Sequence, residues 1–356
     1  MSAGAQFSSG VIEGFFGKSW SWQARLDNVR FLGEWGYRFY IYAPKSDPFL
    51  RRRWRDPIPA ETMERLGELH RCCRQWGLEL GVGLSPFEIY LHHDADAREA
   101  LRAKVRQINE IGAETLCILF DDMRGDIDGL AQIQADVAHN VCTWSGARNF
   151  ILCPTYYSYD PRLSQVFGPV PKSYLHDLGR MVDPGVQFFW TGEKVISDAY
   201  PEQHLAVVAN EIGRKPFIWD NHIANDSKMR TNFLYLDPSV SSWNLAADQA
   251  AGLAINPMNQ PYLSRIALAG YRRLLSGVVK DELLAQVCRA LLQPSLATRL
   301  LTDTHRLQDV GLSGLDTDAR QELLNRYSGY VDDPYARELC AWLGDAYAFD
   351  PECLTE

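Results

Sequence analysis

A chain of 356 residues can form one large barrel domain with an appendage, or two ordinary domains, and is too long for a small module. Apolar residues at 46% and charged residues at 23% are the proportions of a globular protein; they exclude a disordered or fibrous chain, and no apolar run reaches membrane-spanning length. The formal net charge of -9 argues against nucleic acid or another polyanion as partner, because long-range repulsion would oppose encounter.

The first ten residues, Met1 to Gly10, are uncharged and carry no apolar signal core. From there, short apolar runs alternate with helical stretches, the pattern of repeated βα units on a parallel sheet. The runs are Gly10–Gly14, Phe39–Ala43, Leu80–Leu84, Leu116–Phe120, Phe150–Cys153, Gln187–Trp190, Phe217–Trp219 and Leu253–Ile255. Between the second and third, Met63, Leu66, Leu69, Cys73 and Trp76 fall three or four apart, and Leu101, Val105, Ile108 and Gly112 repeat the habit after the third. The stretch after the seventh run is short and ambiguous.

Eight units closing near residue 275 predict an α/β fold, a (β/α)8 TIM barrel over residues 1–275. An open doubly wound sheet would show a GxGxxG turn after its first strand, and Val11 to Gly17 has none. From about Lys280 the pattern is helical throughout, which predicts a small C-terminal all-helical appendage over 276–356, with Asp333-Pro334 as N-cap and first residue of its last long helix. The pairs Leu291-Leu292, Leu300-Leu301 and Leu323-Leu324 read first as packing, with a homodimer through this tail left open. The eight cysteines include no CxxC, and Cys117 and Cys153 lie inside strand-like runs; with no leader visible, reduced thiols in a cytoplasm are expected.

In a barrel the residues just after each strand form the mouth, where the chemistry sits. That layer here contains Glu13, Gly14, Lys45, Ser85, Glu88, Asp121, Asp122, Thr155 to Tyr157, Thr191, Asp220, Asn221 and Asn256. A ring of donors and acceptors suits a molecule covered in hydroxyls, with Tyr157, Trp190 and Trp219 as apolar walls. The sharpest feature is Asp121-Asp122, ending a wholly apolar fourth strand. Neighbouring carboxylates tend to keep one proton between them, which supplies an acid and an anion together. The alternatives are a capping aspartate beside a solvated one, or a pair of ligands for a divalent metal.

These residues resemble family 84 of the glycoside hydrolases, the N-acetylglucosaminidases that include protein O-GlcNAc hydrolases and bacterial relatives. The resemblance runs through Gly10–Gly17, Tyr42–Lys45 with Trp54-Arg55, Phe120–Asp122, Cys153–Thr155 with Tyr157, Trp190–Gly192, Trp219–Asn221 with Asn225-Asp226, and Asn256-Pro257. It implies a retaining exo-β-N-acetylglucosaminidase in which the 2-acetamido oxygen of the substrate attacks the anomeric carbon to give an oxazoline, with no metal and no cofactor. On this resemblance Asp121 orients the acetamido group and Asp122 is the acid and base. Asp226 meets the 4- and 6-hydroxyls, and Asn256, Lys45 and the Gly14 carbonyl meet other hydroxyls. Tyr157 and Asn221 meet the acetamido group or its partner Asp121, and Trp219 and Val195 line the pocket. The implied partner is a terminal β-linked N-acetylglucosamine on a glycan, glycopeptide or glycoprotein. A catalytically silent barrel that binds N-acetylated glycans is the competing reading.

Several local features read as less informative. Arg55 belongs to the family motif and is expected in a structural ion pair, whereas Arg51, Arg52 and Arg53 read first as a solvated face, with an acidic peptide or aglycone at the mouth as the alternative partner. His222 beside Asn221 lacks the HxH companion of barrel metallohydrolases, and His92-His93 reads as a polar loop. Phe16 stands where the family usually has tyrosine, Ser46 where an acidic residue is common, and Ser85–Glu88 departs from the family's Gly-rich segment.

Overall fold

The computed structural model describes residues 7–91, 93–239, 244–278, 282–347 and 349–353. The N-terminal stretch through Gln6, His92 and the Lys280 boundary therefore lie outside the described residues. Eight parallel strands close into a barrel in chain order: β1 (Ser9–Glu13), β2 (Phe39–Tyr42), β3 (Glu79–Leu84), β4 (Thr115–Leu119), β5 (Asn149–Cys153), β6 (Gln187–Trp190), β7 (Phe217–Asp220) and β8 (Gly252–Ile255). Closure comes from β8 pairing with β1, with Ser9 opposite Leu253 and Val11 opposite Ile255. Each strand coincides with one of the apolar runs to within a residue or two at its ends, because a strand with barrel interior on one face and helices on the other is buried on both. Val11, Tyr40, Leu80, Leu116, Leu152, Phe189, Ile218 and Leu253 are fully enclosed.

The outer ring is α1 (Trp22–Glu34), α2 (Ala60–Gln75), α3 (Ala95–Ile111), α4 (Leu130–Trp144), α5 (Pro161–Phe167), α6 (Tyr174–Met181), α7 (Glu202–Ile212) and α8 (Pro261–Leu275). Their ends are set by side-chain chemistry. Ser21 accepts from the Ala24 N–H to start α1, Asp94 accepts from Ala97 to start α3, and α3 stops at Gly112 in the left-handed conformation, φ 81°. After β7 the ambiguous stretch forms two 3-10 turns, Arg230–Asn232 and Ala247–Gln249, and no α-helix among the described residues. This leaves a long irregular connection at the mouth, which function can use.

Beyond α8, the tail folds as α9 (Leu283–Leu291), α10 (Pro294–His305), α11 (Gly311–Gly314), α12 (Thr317–Ser328) and α13 (Pro334–Leu343). Asp333 caps α13 through the Tyr335 and Ala336 N–H groups, with Pro334 in its first turn. The leucine pairs pack inward: Leu292, Leu300 and Leu323 are buried, and their neighbours lie against the same core. That core runs continuously from barrel to tail. Polar ties reinforce the junction, since Glu338 accepts from the Tyr262 and Leu263 N–H groups at 2.8 Å each and so caps α8 from α13. The Trp342 indole donates to the Thr231 carbonyl at 3.0 Å, and Gln308 accepts from the N–H groups of Leu236 and Asp237. No helix among the described residues is long and apolar enough to cross a membrane.

Candidate active site

The C-terminal end of the barrel encloses a pocket of about 540 Å3, counting the solvent at its mouth. Gly14, Lys45, Asp121, Asp122, Tyr157, Val195, Trp219, Asn221, Asp226 and Asn256 all line it. Seven separate strand ends and the loops that follow them, all but that of β3, thus deliver the residues singled out from sequence to one cavity.

The carboxylate pair is positioned by the end of β4. Phe120 has both backbone groups engaged, its N–H donating to the Cys153 carbonyl at 2.9 Å and its carbonyl accepting from the Thr155 hydroxyl at 2.8 Å. Held there, the chain turns sharply, and Asp122 takes a left-handed φ of 57°, a conformation that costs free energy for a residue with a Cβ. Asp121 and Asp122 are both buried. The Lys45 ammonium lies between them, donating to Oδ2 of Asp121 and lying 3.1 Å from Oδ2 of Asp122.

The energetics follow from that arrangement. Burial alone would lower the Lys45 pKa, but the two carboxylates outweigh it and hold the ammonium above its ordinary value. Burial raises the Asp121 carboxyl; Lys45 pulls it back down, the Asp122 charge pushes it up, and the net direction is upward. Oδ1 of Asp121 is buried with no hydrogen-bond partner among the described residues. A buried acceptor left open costs about 1–3 kcal/mol unless a ligand donates to it.

A second network spans the far wall. Asn221 Oδ1 accepts from the Trp219 indole and from Asn256 Nδ2, each at 2.9 Å, while Asn221 Nδ2 donates to the Val195 carbonyl at 3.0 Å. Asn256 Oδ1 in turn accepts from the Gly14 N–H at 3.1 Å. Trp219 lies so close to Gly14 that a Cβ there would come within 2.4 Å of its ring, which is why this position takes glycine. Asp226 Oδ2 accepts from the Phe16 N–H at 2.8 Å, tying the loop after β7 to the loop after β1. Burial raises the Asp226 pKa as well.

Other expectations are corrected by the structure. Glu13 is fully enclosed and is not in the pocket: Arg25 clasps both its carboxylate oxygens, at 2.7 and 2.8 Å, and Tyr40 donates to it. Trp190 is buried away from the pocket wall, its indole donating to His204 at 2.9 Å. Asp220 is enclosed and accepts from the His222 N–H at 2.7 Å, a structural role in the turn. Arg55 makes no ion pair among the described residues and stacks over Trp54, 4.8 Å from the ring centroid. Arg51 belongs to no solvated face; it is 4% exposed, with its guanidinium 5.3 Å from the Phe16 ring.

Phe16, the departure from the family pattern after the first strand, lines the pocket, as do residues not named for the site from sequence: Cys153, Ile196, Ala224, Ser227 and Cys353. Cys153, at the end of the fifth strand-like run, is buried and lines the cavity. Cys353, from beyond the last helix, carried no sequence signal.

A closed parallel barrel whose C-terminal mouth holds adjacent buried carboxylates, a lysine, amides and aromatics has the architecture of a barrel glycoside hydrolase. The family model for beta-N-acetylglucosaminidase matches residues 9–293, and the chain belongs to that family of glycoside hydrolases. The match runs past the barrel and through α9, further than the motifs between residues 10 and 257 indicated. The chain is 28% identical over 292 residues to Protein O-GlcNAcase of Mus musculus, and equally to that of Rattus norvegicus. Each alignment covers 78% of this chain and 31% of the relative, so the chain spans about a third of the length of the curated relatives it matches. A variant of the Thermobaculum terrenum O-GlcNAc hydrolase superposes with a TM-score of 0.76 over 95% of this chain and 81% of that one, at 24% identity, a likeness of fold.

Proposed function

We propose that this chain is a retaining exo-β-N-acetylglucosaminidase that removes terminal β-linked N-acetylglucosamine by substrate-assisted catalysis. The observation that carries the proposal is Asp121. Its Oδ2 is pinned by Lys45 while its buried Oδ1 has no donor among the described residues, in the pocket that also holds Asp122. An acetamido N–H is a donor of the right kind for that oxygen.

In the reaction, the acetamido oxygen attacks the anomeric carbon as the glycosidic bond breaks. Asp121 draws on the acetamido N–H, which raises the nucleophilicity of the oxygen, and the Asp122 carboxyl gives its proton to the departing oxygen. The oxazoline then opens to water, whose proton returns to Asp122, and the sugar leaves with its original anomeric configuration. Lys45 has three N–H groups, and its two carboxylate partners leave one for a ring hydroxyl. Asp226 and Asn256 bind further hydroxyls, with the Gly14 carbonyl, and Tyr157 and Val195 enclose the acetamido side. Both lone pairs of Asn221 Oδ1 are already used, so this residue acts on the sugar chiefly by fixing Trp219 and Asn256.

The test compares aryl N-acetyl-β-glucosaminide with the matching aryl β-glucoside, using the parent and the Asp121→Asn and Asp122→Asn variants. Turnover of the acetamido sugar alone is expected, and comparable hydrolysis of the plain glucoside would exclude acetamido participation. Asp122→Asn should cost about 10²- to 10⁴-fold in kcat on a poor leaving group. An unchanged rate would remove its acid role. Full activity after exhaustive EDTA treatment is expected, and its loss would favour a metal site at the pair.

A further inference from the structure

The pocket is not built by the barrel alone. Beyond α13, Asp350 organises a tight turn: its Oδ1 accepts from the Glu352 N–H, and its carbonyl accepts from the Cys353 N–H, each at 3.0 Å. This places Cys353, 8% exposed, in the cavity wall with Phe16, Asp121 and Asp122. Glu352 fastens the turn to the loop after β2. Glu352 Oε2 accepts from Arg51 Nη1 at 2.8 Å and from Arg52 Nε at 3.0 Å, contacts that bridge some 300 residues of sequence.

The two anchors differ in character. Arg51 is enclosed between the rings of Phe16 and Phe87, 5.3 and 5.0 Å from their centroids, so its guanidinium is fixed before Glu352 arrives. Arg52 remains half exposed, at 50%. A pre-positioned cation meeting a carboxylate on a short turn is a clasp, and the element it holds lines, through Cys353, the cavity that contains the carboxylate pair. Since Phe16 touches Arg51 on one side and lines the pocket on the other, the clasp and the wall are mechanically continuous.

We propose that residues 349–353 form a strap, locked by Glu352 on Arg51 and Arg52, that closes one side of the pocket mouth and limits the size of the aglycone admitted. The substrate part of this inference rests on the glycosidase reading above; the structural part does not. A small aryl aglycone passes the strap, whereas a glycopeptide must displace it, and opening the clasp favours the larger substrate.

Two measurements on the full chain test this. Site-resolved alkylation by iodoacetamide, read by peptide mass spectrometry, reports the exposure of Cys353, with Cys117 in β4 as the internal control for an intact fold. Glu352→Ala should speed Cys353 alkylation by at least about ten-fold, since it removes the charge-assisted contacts to both Arg51 and Arg52. Arg52→Ala, an exposed substitution, should act in the same direction by less, and N-acetylglucosamine should slow the reaction in both. Should Glu352→Ala make Cys117 reactive, and so be unfolded, Arg52→Ala decides the matter. A Cys353 rate equal to the parent's in folded variants overturns the strap. The second measurement is the ratio of kcat/KM for a serine-linked N-acetylglucosamine peptide to that for the aryl glycoside. It should rise by roughly five-fold or more in Glu352→Ala. An unchanged ratio with an accelerated Cys353 overturns the aglycone role while leaving the clasp. A parent enzyme inactive on both substrates would refute the glycosidase reading and leave the alkylation result standing.

Discussion

Lys45→Met is the substitution on which the electrostatic account of the site turns, because methionine keeps most of the volume and removes the charge. At 3.1 Å and an effective dielectric constant of about 20, the attraction between Lys45 and Asp122 alone is about 5 kcal/mol. Desolvation of three buried ions offsets much of it, and removing one partner of such a cluster costs about 3–5 kcal/mol net. With about 2.1 cal/mol/K of unfolding entropy per residue, 356 residues give about 0.75 kcal/mol/K, so the melting midpoint should fall by about 4–7 °C. The loss has a pH signature. Asp121 already lies above its ordinary value, and without Lys45 it moves further up, so the folded state holds a proton that the unfolded chain gives up near pH 4, roughly. Stability therefore declines as pH rises from there, and the gap to the parent is smallest in acid and full at neutral pH. Differential scanning calorimetry at several pH values reads it directly. A neutral-pH midpoint within about 1 °C of the parent, or a gap that widens in acid, would refute the reasoning.

The remaining predictions concern two positions outside the carboxylate pair. Burial holds Glu338 up at about 8 against an ordinary 4.5, so between these values the folded state retains a proton that the unfolded chain has lost, and stability falls as pH rises across the window. Glu338→Gln should flatten the dependence of the melting midpoint on pH there, and a variant curve parallel to the parent's would show that Glu338 does not set it. Gly14→Ala brings a methyl within 2.4 Å of the Trp219 ring and must displace the indole that donates to Asn221. It should lower kcat/KM on the aryl N-acetylglucosaminide by at least about ten-fold, with little change in midpoint. A value within two-fold, roughly, would mean that the ring is free to move at no cost to the pocket.

The barrel was legible because burial on both faces writes each strand as an apolar run, and because polar residues follow the runs at the mouth. Asp121, Lys45 and Asn256 could be named this way and by resemblance to the family, and each lines the cavity. Position after a strand does not by itself fix where a side chain goes. Glu13 and Gly14 are neighbours at the end of β1, yet Glu13 turns to Arg25 and Tyr40 while Gly14 lines the pocket. Strand alternation separates such neighbours, but which face is inside depends on register around the closed barrel, a non-local property. Arg51 was misread for a related reason. Three consecutive arginines look like solvent-facing charge, and only the rings of Phe16 and Phe87, distant in sequence, make a buried cradle for the first. Glu352 and Cys353 reach the site across the whole chain, and no local pattern carries that information.

Three costs fall on the same two residues of the β4 end. Asp122 holds a left-handed backbone, Asp121 buries an oxygen without a donor, and both carboxylates are desolvated beside each other. An apolar pair at these positions would pack at least as stably, since replacing buried ions by hydrophobic side chains of similar volume is often neutral or stabilising by about 1–4 kcal/mol. Lys45 compensates the charge but engages only one oxygen of Asp121, so stability leaves the other unexplained. Strain of this kind persists where the surrounding structure over-determines it, and here the surroundings do so from both sides: β5 through Thr155 and Cys153, and β2 through Lys45. A ligand that donates an N–H to Asp121 relieves the cost of its open oxygen, and a 2-acetamido glycoside carries that N–H on the ring carbon next to the one whose glycosidic oxygen would take a proton from Asp122.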